Sequence, residues 1–199
     1  MTMIDSYPQV FNLGHKAIAD LLKGPVVVQE KVDGSQFSFG FLGDMYKAER
    51  VVVMRSKGCK VTFDNPGMFD KAVTAVHYRR DKLTPGYIYR GEFLAKPKHN
   101  VLAYDRTPKD YIILYDIQRG TGDFLSPVEF VMEANRIELE TVPYYNVSEA
   151  LLASVDMDWL KGLLEFQSIL GGQKVEGIVI KNYTRFGFDA KPLFGKYVS

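Results

Sequence analysis

Residues 26–41 constrain the fold most strongly. An apolar run, Val-Val-Val-Gln-Glu-Lys, breaks at Asp33-Gly34-Ser35 and resumes with Phe37, Phe39 and Phe41 alternating against Gln36, Ser38 and Gly40. A β-branched run, a turn signal and a period-two pattern predict strand, tight turn, strand. Lys31 closes the first strand, a placement that directs it into a partly buried site. There, desolvation or neighbouring cations would pull its ammonium below the ordinary value of about 10.4, which is how a lysine becomes a nucleophile.

Around this centre, Phe11, Ala17, Ile18, Leu21 and Leu22 fall near helical spacing before Lys23-Gly24-Pro25, predicting a leading amphipathic helix over 9–23. A third strand is expected over Glu49 to Arg55, and a helix from Asn65-Pro66 to about Lys82. Strands follow at Tyr87 to Leu94 and Tyr111 to Ile117, separated by a loop at 95–110 that carries Lys, Pro and His. Ser126-Pro127-Val128-Glu129 reads as a capping box opening a helix over 127–136, and another helix is expected around 156–169. Val175 to Asn182 and Leu193 to Val198 close the chain as strands. Strand-rich blocks alternate irregularly with helices, which is an α+β pattern with antiparallel sheets. Without a linker or internal repeat, 199 residues read as one domain, 1–199.

Composition narrows the function classes. Hydrophobic residues make up 46% and charged residues 25%, which excludes disordered and low-complexity chains. Lys and Arg number 25 against 24 acidic residues, so any grip on nucleic acid rests on local clusters and not on bulk charge. A lone cysteine, Cys59, cannot form an intrachain disulfide or a thiolate metal cage, and His15, His77 and His99 lack ligand spacing. With no signal-like start and no apolar run of about 18 residues, the expectation is a soluble, cytoplasmic protein with no membrane partner.

Two short motifs carry the chemistry. Lys31-Val32-Asp33-Gly34 is weak alone, since a Lys-x-Asp-Gly match arises by chance in roughly one chain in thirty of this size. Glu176-Gly177-Ile178-Val179-Ile180-Lys181 places an acid and a lysine at opposite ends of a strand. Glu176 is suited to a magnesium ion, which takes one or two carboxylates plus water and substrate phosphate, and Lys181 to the phosphates.

In order along the chain, these motifs join Arg55-Ser56-Lys57-Gly58, Tyr89-Arg90-Gly91-Glu92, Leu114-Tyr115-Asp116-Ile117 and Lys196. Together they resemble the motifs of the covalent nucleotidyltransferases, a superfamily of DNA ligases, RNA ligases and mRNA capping enzymes, over Gln29 to Lys196. DNA ligases usually carry an arginine two residues beyond the motif glycine, where this chain has Gln36. Lys-x-Asp-Gly-Ser, Tyr-Arg-Gly-Glu-Phe and the Lys-Tyr-Val-Ser ending look more like the family of the second T4 RNA ligase.

The resemblance implies a nucleotidyltransferase domain of the ATP-grasp-like ligase type. It implies attack of Lys31 on the α-phosphate of ATP, transfer of AMP to an RNA 5′-phosphate, and sealing by a 3′-hydroxyl. It casts Glu30 as an adenine contact, Arg55 and Glu92 as ribose contacts and Tyr115 as the base-stacking ring. It further casts Glu176 as ligand of Mg²⁺ or Mn²⁺, Lys181 and Lys196 as α-phosphate contacts, and Asp33, Gly34 and Asp116 as supporting residues. Taken without the family, Tyr115 would be a core aromatic, Arg55 a surface charge and Asp116 a strand cap.

Two departures stand out. The family often has two lysines separated by one residue at the last motif, whereas this chain has Phe194-Gly195-Lys196, leaving Lys191 as a replacement candidate. Many members also continue into a C-terminal domain, and this chain stops at Ser199, as a truncated or a minimal enzyme. RNA-path candidates are Lys96, Lys98 and His99; Arg79, Arg80 and Lys82 read better as a solvated helix end. Competing readings are a DNA ligase, a GTP-using capping enzyme, and a non-catalytic nucleotide-binding or RNA-binding module.

Overall fold

The computed structural model describes residues 4–41, 51–120 and 122–198. Among these residues the strands are β1 (Val10–Asn12), β2 (Val26–Lys31), β3 (Ser35–Phe41), β4 (Val52–Ser56), β5 (Lys60–Val61), β6 (Tyr87–Phe93), β7 (Ile112–Arg119), β8 (Asp123–Phe124), β9 (Glu140–Thr141), β10 (Tyr144–Val147), β11 (Gly177–Phe186) and β12 (Pro192–Val198). The helices are α1 (Asp70–Arg79), α2 (Pro127–Arg136), α3 (Glu149–Leu152) and α4 (Met157–Leu163). The chain divides into two compact units, one of 1–7, 34–101 and 106–141, the other of 8–33, 102–105 and 142–199.

The first unit is a sheet ordered β5-β4-β3-β6-β7-β8, with β9 parallel to β7. Phe37, Phe39 and Phe41 alternate onto one face, where they join Tyr89, Phe93, Ile112 and Leu114 and the apolar sides of α1 and α2 in a single core. The other face carries Gln36, Ser38, Arg55, Arg90 and Glu92, because register sets Ser38 opposite both Arg55 and Arg90, and Gln36 opposite Glu92. α2 starts as expected: the Ser126 hydroxyl accepts from Glu129 N–H and the Glu129 carboxylate accepts from Ser126 N–H.

The second unit is a sheet ordered β1-β12-β11-β2-β10. Its apolar face, with Val26, Val28, Ile178, Ile180 and Leu193, packs with Ile18, Leu21 and Leu160. Gly195 permits that packing, since a Cβ there would lie 2.6 Å from Leu21 Cδ2.

Several expectations need correction. Residues 9–23 form no α-helix: they make β1, a turn at Gly14 with φ +87°, and a 3₁₀ turn over Lys16–Ile18. The apolar spacing is real for one turn only, in which Ile18 and Leu21 are buried, while Phe11 rides on β1 beside β12. β2 and β3 are strands joined by a turn, as expected, and they belong to different sheets. The third strand is Val52–Ser56, and Glu49 and Arg50 lie outside the described residues. The helix expected from Asn65 starts at Asp70, after Gly67 at φ +56° and a 3₁₀ turn, and the helix expected over 156–169 ends at Leu163.

Arg79 is not a solvated helix end. It is buried, donating from Nε to Ile137 O at 2.8 Å and from Nη1 to Ala75 O at 3.0 Å, and pairing with Asp110, so it ties α1 to the Ile137–Glu138 turn. Arg80 and Lys82 are exposed.

Candidate active site

In the second unit, antiparallel register sets Lys31 opposite Gly177, which brings Glu176 beside the lysine. Lys31 Nζ donates to Glu176 Oε2 at 2.6 Å, both side chains being about a quarter exposed. The neighbour of the ammonium is thus a carboxylate, where the sequence reading allowed for cations. Gly177 lets the strands close: a Cβ there would meet Tyr197 O at 2.5 Å and Val198 Cγ1 at 2.7 Å.

Register also gathers the other lysines. Gly177, Val179 and Lys181 share one face of β11, with Lys31 opposite Gly177, Lys196 opposite Val179 and Phe194 opposite Lys181. Lys31, Lys181 and Lys196 therefore project from one face of one sheet, at levels stepped by two residues, about 7 Å each. Lys181 is 2% exposed and its Nζ sits 5.5 Å from the centroid of the Phe194 ring. Lys191 precedes β12 in the Gly187–Lys191 turn, five residues or about 17 Å of extended chain from Lys196. That placement gives no support to Lys191 as the missing cation of the last motif.

Glu30 parts company with its neighbour. It lies opposite Ile178 and so on the apolar face, where its carboxylate accepts from Ser168 Oγ at 2.5 Å and Ile169 N at 3.0 Å. Burial pushes this carboxyl up, the two hydrogen bonds opposing. Its observed partners belong to the 168–172 loop, a role that parity along the strand signals and motif position does not. Asp33 Oδ2 accepts from Leu102 N at 2.9 Å, and Asp33 N donates to the buried Tyr104 hydroxyl at 2.8 Å.

The first unit carries the remaining candidates. On β7 the register steps from Asp116 opposite Arg90 to Leu114 opposite Gly91, so Tyr115 is the extra residue of a β-bulge, a device that re-aims a side chain. Its hydroxyl accepts from Gln36 Nε2 at 3.1 Å, and burial, with the charge of Glu92, holds the phenol above its ordinary value. Arg90, 1% exposed, donates to Gln118 Oε1 at 2.6 Å, Ser38 Oγ at 3.1 Å and Asp5 O at 2.9 Å; burial lowers its guanidinium from the usual arginine value. Arg55 donates to Ile4 O at 2.6 Å, Ser56 O at 3.2 Å and Lys57 O at 3.3 Å, so its observed partners are backbone carbonyls. Tyr7 donates to Asp116 and stands edge-on to Tyr115, ring centroids 5.0 Å apart. The Ile4–Tyr7 segment thus lies along the polar face that holds Arg55, Arg90, Tyr115 and Asp116.

Gly34 also belongs here: a Cβ on it would meet Glu92 Cβ and Leu94 Cδ1 at 2.9 Å, and its carbonyl accepts from Asn100 Nδ2 at 2.8 Å. His99 contacts Ser35 Oγ through Nε2 at 2.9 Å, with Nδ1 accepting from Ala95 N, whereas Lys96 and Lys98 are exposed. The sequence reading missed Tyr7, Gln118, Tyr104 and Ser168. Arg90 and Gln118 carried a signal, since they are two residues from Glu92 and Asp116 and must share their faces.

Among the described residues no group of three or more His, Cys, Asp and Glu gathers, and no helix is long and apolar enough to cross a membrane. Glu176, the carboxylate beside Lys31, would fit a divalent cation, since one carboxylate with phosphate oxygens and water is a set that suits magnesium or manganese.

The fold matches Naegleria gruberi RNA ligase with PPi at TM-score 0.66 and 14% identity, covering 100% of this chain and 57% of that one; a point mutant of the same ligase with ATP and Mn matches equally. An archaeal ATP-dependent RNA ligase matches at TM-score 0.60 and 16% identity over 97% of this chain and 48% of that one. A protein from Aquifex aeolicus described as an ATP-dependent DNA ligase matches at TM-score 0.59 and 18% identity, over 98% of this chain and 50% of that one. At such identities the likeness is one of fold, and this chain spans 57% or less of the length of these proteins. No curated protein matches in sequence. The sequence profile of the RNA ligase family matches residues 24–198, which takes in every motif from Lys31 to Lys196, and the chain belongs to that family.

Proposed function

We propose that the chain is the nucleotidyltransferase part of an ATP-dependent RNA ligase and that Lys31 is the residue to which AMP becomes joined. The observation that carries this is the face of the second unit's sheet on which Lys31, Lys181 and Lys196 project together, with Glu176 at 2.6 Å from Lys31.

The neutral amine of Lys31 attacks the α-phosphorus of ATP; the phosphorus to pyrophosphate bond breaks as the nitrogen to phosphorus bond forms, and the amine proton leaves. Lys181 and Lys196 stabilise the negative charge on the phosphate oxygens as it shifts, a task for fixed cations in a water-poor setting. Glu176 would hold Mg²⁺ or Mn²⁺, which neutralises phosphate charge when bound. A cation on Glu176 would also replace its ion pair with Lys31, favouring loss of the lysine proton that attack requires. Tyr115 and Glu92 serve the nucleoside, Tyr115 by stacking. AMP then passes to a 5′-phosphate RNA end, and a 3′-hydroxyl displaces it.

The test is intact-protein mass after incubation with ATP and Mg²⁺, beside Lys31→Ala. Gain of one AMP by wild type alone supports the reading. A wild type that starts free of AMP and gains none would leave a nucleotide-binding module. Nicks differing only in RNA or DNA at the 3′-hydroxyl strand then separate RNA ligase from DNA ligase, and GTP in place of ATP separates capping chemistry.

A further inference from the structure

Lys31 stands at the end of a strand, where the chain leaves the sheet and loses the ladder that would fix it. Something other than β pairing has to hold the next residues if the amine is to meet a phosphorus within a few tenths of an ångström. Two contacts within the second unit do so. Asp33 N donates to Tyr104 Oη at 2.8 Å, and Asp33 Oδ2 accepts from Leu102 N at 2.9 Å, so the 102–105 segment holds both the backbone and the side chain of Asp33. That segment is itself fastened: Asp105 N donates to Leu170 O at 3.2 Å and Gly171 O at 3.3 Å. Gly171 and Gly172, with φ +74° each, pack so closely that a Cβ on either would lie 2.6 Å or 2.8 Å from an Asp105 carboxylate oxygen. The same loop holds Glu30 through Ser168 and Ile169. Lys31 is thus flanked by Glu30 and Asp33, which are held by two segments, 168–172 and 102–105, that are hydrogen-bonded to each other.

The geometry points to Tyr104 as a positioning residue for the nucleophile: its buried hydroxyl fixes the backbone at Asp33 and, through it, the direction in which Lys31 leaves β2. Tyr104 is 5% exposed, so the ring is packed and only its oxygen engages the turn. Its phenol is held above the ordinary value by burial, with the charges of Glu30, Asp33 and Glu176 adding to the effect and the Asp33 N–H opposing it, which keeps it protonated. The role rests on the proposed lysyl-AMP chemistry at Lys31 and touches neither nucleoside nor phosphate.

The test is Tyr104→Phe, which keeps the ring and removes the acceptor of the Asp33 N–H. Single-turnover formation of lysyl-AMP at saturating ATP should slow by about tenfold or more, with half-saturating ATP within twofold of wild type and the thermal midpoint within a few degrees. An unchanged rate overturns the role. So does a rate that falls only together with ATP affinity and the thermal midpoint, because that marks general loosening of the fold. Failure of the underlying reading is seen separately, since wild type then gains no AMP at all; a wild type that adenylates normally beside an equally active Tyr104→Phe overturns the role of Tyr104 and leaves the reading standing.

Discussion

Lys31 and Glu176, 145 residues apart in the chain, meet at 2.6 Å because antiparallel pairing of β2 and β11 sets Lys31 opposite the residue that follows Glu176. The proposed nucleophile and the proposed ligand of a divalent cation are thus in direct contact, so a cation bound at Glu176 would compete with the ion pair.

Glu176→Gln should raise the Mg²⁺ needed for half-maximal adenylation by about tenfold, because a neutral amide is a weaker ligand for a hard cation. Stability should change by about 1 kcal/mol or less, since both partners are partly exposed and such pairs contribute little. A magnesium titration of pyrophosphate release and a urea melt check the two halves.

Lys181→Met should slow the first step at a cost in stability. Lys181 is 2% exposed with its Nζ over the Phe194 ring, and removing one buried charge leaves its partners uncompensated, so the unfolding midpoint should fall. The first-step rate should fall by about 10²-fold or more, as for loss of a fixed donor at a charged transition state. Unfolding curves and quench-flow adenylation would measure both.

Tyr115→Ala should raise half-saturating ATP about tenfold, within the roughly 1–3 kcal/mol range of base–aromatic stacking, while Tyr115→Phe stays near wild type. Phenylalanine keeps the ring on the β-bulge and loses the hydrogen bond from Gln36. Titration with a non-hydrolysable ATP analogue would read the affinities directly.

Glu30 makes stability depend on pH. Its folded carboxyl lies above the unfolded value of about 4.3, so the native state binds the proton more tightly. The contribution of Glu30 is fully present below that value and is lost as pH rises through the raised folded one. The unfolding free energy of wild type minus that of Glu30→Gln should therefore fall with rising pH across this window and then level off. Urea melts of both proteins from pH 4 to 7 would show the slope, and parallel curves would contradict it.

Much was legible because it is local. Alternation of Phe37, Phe39 and Phe41 marks a half-buried strand whatever lies across from it, and Ser126 with Glu129 makes a capping box from residues three apart. The same locality misled at 9–23, where helical spacing of a few apolar residues met Gly14 in a left-handed turn and a parallel partner in β12. Residues 65–70 likewise carry a helix-start signal, but Gly67 delays the helix by one turn.

By itself, then, the sequence determined the order of the strands around Lys31, the chemistry available at Lys31, Glu176, Lys181 and Lys196, and the family those motifs share. Tertiary structure alone decided which of these residues share a face. Register across β2, β11 and β12 put the three lysines on one side, whereas alternation along β2 already sent Glu30 to the other. It also recruited Tyr104, Tyr7 and Ser168, which no motif announces, as partners of Asp33, Asp116 and Glu30. The reason is physical: residue spacing along a strand fixes only alternation, while pairing between strands far apart in sequence depends on packing that every segment contributes to at once.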